Sequence, residues 1–122
     1  MEWAIDNNKP IHTQLVDQLK MNIVSGEIPI GSKLDPVRIM AQEAEVNPNT
    51  MQKALTELER QELVYSKRTS GRFVTDDIKK IKAIKEELAS IKIKELKEIL
   101  IKLGYNSKEI IAIISENLRS EV

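Results

Sequence analysis

The sequence predicts a mainly α chain with a small β-hairpin and a two-helix tail, and three observations carry that prediction. Apolar residues recur at helical spacing in three segments of the first half, and two short β-prone runs flank Ser70-Gly71. After residue 75 the composition changes: 11 isoleucines and 5 leucines fall in the last 47 positions, with no proline.

The first helix follows Lys9-Pro10, with Ile11, Leu15, Leu19 and Ile23 recurring every four residues, Val16 beside them, and Ser25-Gly26 as the stop. Pro29 and Gly31 punctuate a loop, after which a short second helix is expected through about Ala44. Asp35 is its expected N-cap and Pro36 its first position, with Val37, Met40, Ala41 and Ala44 turned inward. The third helix lies in "VNPNTMQKALTELERQEL", with Asn47 as N-cap and Pro48 at its first position. At 100° per residue, Met51, Ala54, Leu55 and Leu58 share one face while Asn49, Gln52, Lys53 and Thr56 share the opposite one. Leu63-Val64-Tyr65 and residues 72–75 then read as a hairpin, the wing spanning residues 63–75. Helix, turn, helix, hairpin is the order of a winged helix-turn-helix, expected over residues 1–75.

Residues 76–122 read as a long helix, a turn at Gly104-Tyr105 and a second helix opened by an Asn106-x-x-Glu109 capping box. The stripe Ile81, Ile84, Leu88, Ile91 gives way near Ser90 to Ile93, Leu96, Leu100, Leu103, a phase slip that disfavours a regular long coiled coil. Two short helices cannot shield this much aliphatic surface by themselves. Either the tail packs on its own N-terminal domain or it pairs with a second copy, and the second is favoured because two-fold pairing is the commonest solution. Residues 76–122 are therefore expected to form a dimerisation domain using Ile81, Ile84, Leu88, Ile91, Leu96, Leu100, Leu103, Ile110 and Ile114.

The hydrophobic content of 41 % suits one folded domain with an appendage, and no apolar run reaches the roughly 18 residues that cross a bilayer. The start, MEWAIDNN, lacks the layout of a secretion signal, so a cytoplasmic protein away from the membrane is expected. Without cysteine there is no thiol nucleophile or zinc-thiolate site, and His12, the single histidine, makes no metal site alone. No serine has a histidine-aspartate arrangement and no glycine loop cradles phosphate, so neither catalysis nor a cofactor is expected. Net charge is zero, which by itself argues against a nucleic-acid ligand; yet Lys67, Arg68 and Arg72 form a local basic tip, while acids gather at Glu57, Glu59 and Glu62.

The polar face of the third helix either enters a DNA major groove or is only a solvated face, and its place after a short helix and before a basic hairpin favours the groove. The amides of Asn49 and Gln52 match the donor-acceptor edge of adenine, and Lys53 reaches guanine or a phosphate. Arg38 either binds a phosphate or base from the start of the second helix, or forms a surface ion pair with Glu43 or Asp35. Lys67, Arg68 and Arg72 either approach phosphates and the minor groove or form a solvated charged turn. Thr50 either donates to a phosphate or satisfies a local carbonyl. Trp3 lies in an alternating stretch that suits an N-terminal strand or a place beneath the dimer. A winged-helix protein-interaction module that never meets DNA is the alternative function, favoured by the neutral charge; an enzyme fragment is the weaker rival.

Residues 10 to 77 resemble the DNA-binding domain of the GntR family of bacterial transcription regulators, through "PIHTQLVDQLKMNIVSGEIPIGSKL", the Val37-Arg38 pair, "VNPNTMQKALTELERQELV" and "GRFV" in order. The two-helix tail ending in "LGYNSKEIIAII" resembles the small YtrA-like branch, whose short C-terminal region serves dimerisation. The resemblance implies a homodimeric repressor on a double-stranded DNA operator, with the third helix in the major groove and the wing near the minor groove. It carries the family's contacts onto Arg38, Pro48, Asn49, Thr50, Gln52 and Gly71. Three positions depart from the family pattern: Glu45 replaces a common glycine between the second and third helices, Thr69 replaces a wing glycine, and Asp35 stands where proline is usual. A left-handed Glu45 would cost about 1 kcal/mol or somewhat more. No small-molecule effector is identified; the tail leaves little room for a pocket of a few hundred Å³, except between subunits.

Overall fold

The computed structural model describes residues 1–120. Three helices, α1 (Ile11–Val24), α2 (Val37–Ala44) and α3 (Pro48–Arg60), precede the hairpin β1 (Val64–Lys67) and β2 (Gly71–Val74), and α4 (Ile78–Lys102) and α5 (Ser107–Ser120) complete the chain. Two compact units result, Met1–Lys85 and Glu86–Val122.

In the first unit, α1 and α2 both pack on α3. Leu15, Leu19 and Ile23 meet Met51, Leu55 and Leu58 in a core closed by Leu63, Val64 and Val74, all essentially without solvent exposure. The helical spacing of these side chains explains why α1 and α3 face each other: burying each of the large ones contributes about 1.5–3 kcal/mol. Asn47 caps α3 as expected, its side-chain oxygen accepting the Asn49 amide at 2.7 Å, with Pro48 at the first helical position. The expected cap of α2 is corrected. Pro36, not Asp35, is its N-cap, because its ψ of 147° leaves it extended while its carbonyl accepts from Ile39 and Met40; α2 begins at Val37 with no side-chain cap.

Two helices end in left-handed glutamates. Glu45 has φ 56° and ψ 46°, and Glu62 has φ 64°. Each ends its helix with the paired bonds of a Schellman motif: Val46 N–H to Ala41 O and Glu45 N–H to Gln42 O, then Leu63 N–H to Leu58 O and Glu62 N–H to Glu59 O. Glu45 thus occupies the conformation for which glycine is the usual choice, and the short connection turns α2 into α3.

The hairpin pairs Val64 with Val74, Tyr65 with Phe73, Ser66 with Arg72 and Lys67 with Gly71. The loop after α1 adds a bridge that sequence pattern did not reveal. Lys33 lies opposite Phe73, with Leu34 N–H donating to Arg72 O and Val74 N–H to Ser32 O, so the wing is sewn to the α1–α2 connection.

The N-terminal segment forms no strand. Two glutamines one turn apart on α1 hold it instead: Gln18 exchanges bonds with the backbone of Ala4 at 3.0 and 2.6 Å, and Gln14 with that of Asp6 at 2.7 and 2.8 Å. Each amide acts as a neighbouring strand's peptide would, and Trp3 and Ile5 lie partly buried on the core.

Ile81 and Ile84, expected in a dimer stripe, belong to the first unit: Ile81 is buried in its core and Ile84 packs against it. The reason is that β2 runs into α4 almost without a linker. Thr75 N–H bonds Leu63 O, the Thr75 hydroxyl accepts from Asp77 N–H, and the Asp77 carboxylate accepts from Lys80 N–H, so the first turns of α4 stay on the winged helix.

In the second unit, α4 ends at Gly104 in a Schellman motif, and the predicted capping box opens α5, with Asn106 and Glu109 exchanging bonds of 3.0 and 2.9 Å. Ile110 is buried, and Leu88, Leu100 and Ile114 are half-buried. Ile91, Ile93, Leu96, Ile99, Ile101, Leu103, Ile111 and Leu118 remain exposed, Leu103 at 69 %.

Candidate nucleic-acid interface

Helix α3 turns its apolar side into the core and leaves Asn49, Gln52 and Lys53 exposed. Their side chains make no hydrogen bond or ion pair among the described residues. Thr56 shares the face, but its hydroxyl donates to the Gln52 carbonyl at 2.9 Å, leaving chiefly its methyl to meet a ligand. A shallow groove of about 340 Å³ runs beside this face, with His12 of α1 across from Gln52, Lys53 and Thr56. Pro48 is exposed at the start of the same helix, and Thr50 is half-buried on its flank.

Arg38 is the second residue of α2 and exposed, and neither Glu43 nor Asp35 pairs with it. In the wing, Tyr65 and Phe73 stack with centroids 5.9 Å apart, and the Lys67 ammonium sits 4.6 Å from the Phe73 centroid. That contact is a cation–π pair that holds Lys67 near the hairpin end while leaving its charge unpaired by any acid. Arg68 is exposed at the tip. Gly71 has φ 105°, and a Cβ there would lie 3.2 Å from the Lys33 side chain, so the position suits glycine twice over.

Arg72 differs from the free cation expected of it. Its side chain is 18 % exposed, and its Nε donates to Glu59 Oε1 at 2.5 Å, an oxygen that also accepts the Ser66 hydroxyl at 3.0 Å. This pair spans 13 residues and has no local sequence signal.

Electrostatics follow from where the acids go. Each carboxylate late in or just after α3 is matched to a cation: Glu57 to Arg60 at 2.6 Å, Glu59 to Arg72 at 2.5 Å, and Glu62 to Lys80 at 2.5 Å. Hydrogen bonds from Arg60 and then Gln61 hold the Glu57 carboxyl at about 2, well below its ordinary 4.5, and the same contact raises Arg60. The hydrogen bond to Glu62 likewise raises Lys80. Zero net charge therefore conceals a division. Glu57, Glu59 and Glu62 are neutralised, while Arg38, Lys53, Lys67 and Arg68 have no acidic partner among the described residues.

A winged helix-turn-helix carrying free amides and cations on its third helix, and further cations on α2 and the wing, is the architecture of a DNA-binding transcription regulator. The chain belongs to the GntR family: the family model described as "Bacterial regulatory proteins, gntR family" matches residues 11–74. It is 31 % identical over 111 residues to the uncharacterized HTH-type transcriptional regulator YhcF of Bacillus subtilis (strain 168), covering 91 % of this chain and 92 % of that one. It is 31 % identical over 104 residues to the HTH-type transcriptional repressor YtrA of the same organism, covering 85 % and 78 %. Among solved structures, a GntR family transcriptional regulator from Listeria monocytogenes superimposes with a TM-score of 0.85 at 36 % identity, covering 92 % of this chain and 98 % of that one. The family and these relatives are regulators rather than enzymes.

Proposed function

We propose that the protein is a homodimeric repressor in the cytoplasm that reads a pseudo-palindromic operator, inserting one copy of α3 into each of two major grooves about 34 Å apart. The carrying observation is the face of α3 on which Asn49, Gln52 and Lys53 stand exposed and unpaired. Asn49 and Gln52 read adenine edges, Lys53 meets guanine or a phosphate, and Pro48 and Thr50 set the start of the helix against the backbone. Arg38 binds a phosphate. Lys67 and Arg68 approach the minor groove, with Gly71 letting the wing backbone come close.

Pairing of the two copies falls to the second unit, through Leu88, Ile91, Leu96, Leu100, Leu103 and Ile114, with the further exposed isoleucines of α4 and α5, whereas Ile110, already buried within the chain, is left out of that surface. Aliphatic exposure on this scale supports that reading, since monomeric proteins rarely present contiguous apolar patches beyond a few hundred Å². No helix among the described residues is long and apolar enough to cross a membrane.

Gel-shift titration against the DNA upstream of its own gene, at two salt concentrations, tests the proposal. Arg38→Ala and Lys67→Ala are expected to weaken binding to most sequences and each to reduce the salt slope by about 1, whereas Gln52→Ala relaxes preference at one base pair by about 1–3 kcal/mol. An absence of any specific, salt-dependent shift would favour a protein-interaction module instead. A single subunit in light scattering at micromolar protein would remove the dimer.

A further inference from the structure

We propose that Glu59 is a positioning residue that aims the wing, and that Arg72 serves this clamp instead of contacting DNA. The inference rests on the reading that α3 and the hairpin engage one duplex, and it assigns the pair that sets the angle between them.

Ser66 and Arg72 are cross-strand partners, so their side chains leave the same face of the hairpin. Both converge on Glu59 Oε1. One carboxylate oxygen therefore ties both strands of the wing to the recognition helix. The opposite face carries the Tyr65–Phe73 stack with Lys67 above it. Fixing one face to α3 thus fixes the direction in which Lys67 and the tip residue Arg68 project. On a helix of 3.6 residues per turn, Glu59 lies seven positions past Gln52 and so within about 20° of it. Glu59 continues the reading face toward the wing, where a bare carboxylate would repel phosphate. Arg72 removes that repulsion while making the tether; an Arg72 released to DNA would leave the acid exposed and the hairpin loose. The arrangement is partly buried, with Glu59 30 % and Arg72 18 % exposed, so water screens it less than a surface pair.

The full-length protein, Glu59→Ala, Glu59→Gln and Ser66→Ala are compared on a duplex that the wild type selects from a randomised pool. Glu59→Ala is expected to weaken binding about five- to thirtyfold and to abolish hydroxyl-radical protection where the wing lies, with protection along α3 retained. Glu59→Gln, which keeps the acceptor oxygen, is expected to restore most of that protection, and Ser66→Ala to fall between it and wild type. Without DNA, the Arg72 Nε proton is expected to exchange slowly with solvent in wild type and rapidly in Glu59→Ala. The proposal is overturned if Glu59→Ala binds as tightly as wild type, or more tightly with a steeper salt slope, since Arg72 would then act as a direct contact once freed. Fast exchange of the wild-type Arg72 proton overturns it as well. If the wild type selects no duplex, the DNA reading falls and this inference with it; selection followed by an unaltered Glu59→Ala footprint removes the clamp alone.

Discussion

Replacing Glu45 with glycine should stabilise the protein. Glu45 holds a left-handed conformation, φ 56° and ψ 46°, between α2 and α3. Its side chain is exposed and makes no hydrogen bond or ion pair among the described residues, so its removal sacrifices no contact there. Left-handed backbone costs a residue with a Cβ about 1–2 kcal/mol. Glycine recovers that, but its freer unfolded chain returns roughly 0.5–1 kcal/mol. The net gain is about 0.5–1 kcal/mol, which for a unit of this size corresponds to a rise of roughly 2–8 °C in Tm. The Schellman bonds from Val46 and Glu45 N–H involve backbone alone and survive the change. Thermal and urea unfolding by circular dichroism at fixed protein concentration, with Glu45→Ala alongside, measures the effect. Alanine keeps the Cβ and should gain little, so an equal gain in both variants, or a loss in the glycine variant, refutes the argument from backbone strain.

Leu55→Ala should cost about 2–5 kcal/mol in urea unfolding, because Leu55 is fully enclosed between α1 and α3. The Glu57 carboxyl sits below its unfolded value, so the stability it contributes is present above pH 4.5 and is lost as pH falls toward 2; a carbon-detected titration should place its midpoint near 2, and Arg60→Ala should move it upward. Combined Gln14→Ala and Gln18→Ala should free the N-terminal segment and shift the emission of Trp3, the only tryptophan, to the red; unchanged emission would mean that core packing alone holds it.

Periodicity made α1 and α3 legible, since Leu15, Leu19, Met51 and Leu55 repeat with the helix and Asn47-Pro48 announces a start. Glu45 was marked by the resemblance as a left-handed position; Glu62, in the same conformation, was not, because nothing in its neighbours distinguishes it from an ordinary helical glutamate. The amide face of α3 was readable because its residues act locally. The pairing of Arg72 is illegible for the opposite reason: Glu59 lies on another element, and charge counted along the chain misses pairing across space. The division at residue 76 followed composition, yet Ile81 and Ile84 pack on the winged helix because packing follows connectivity through Thr75 and Asp77 rather than isoleucine content. The bridge at Lys33 is a single pair and carries no alternation for a sequence pattern to show.

Because Ser32, Lys33 and Leu34 are stitched to β2, the connection between α1 and α2 is not spare chain. Adding or deleting one residue there would reverse which side chains face inward and tug the wing out of line. Length variation among descendants of this gene should therefore collect at the Arg68–Ser70 turn, where the chain makes no such attachment, and spare the segment whose sequence looks most like an ordinary loop.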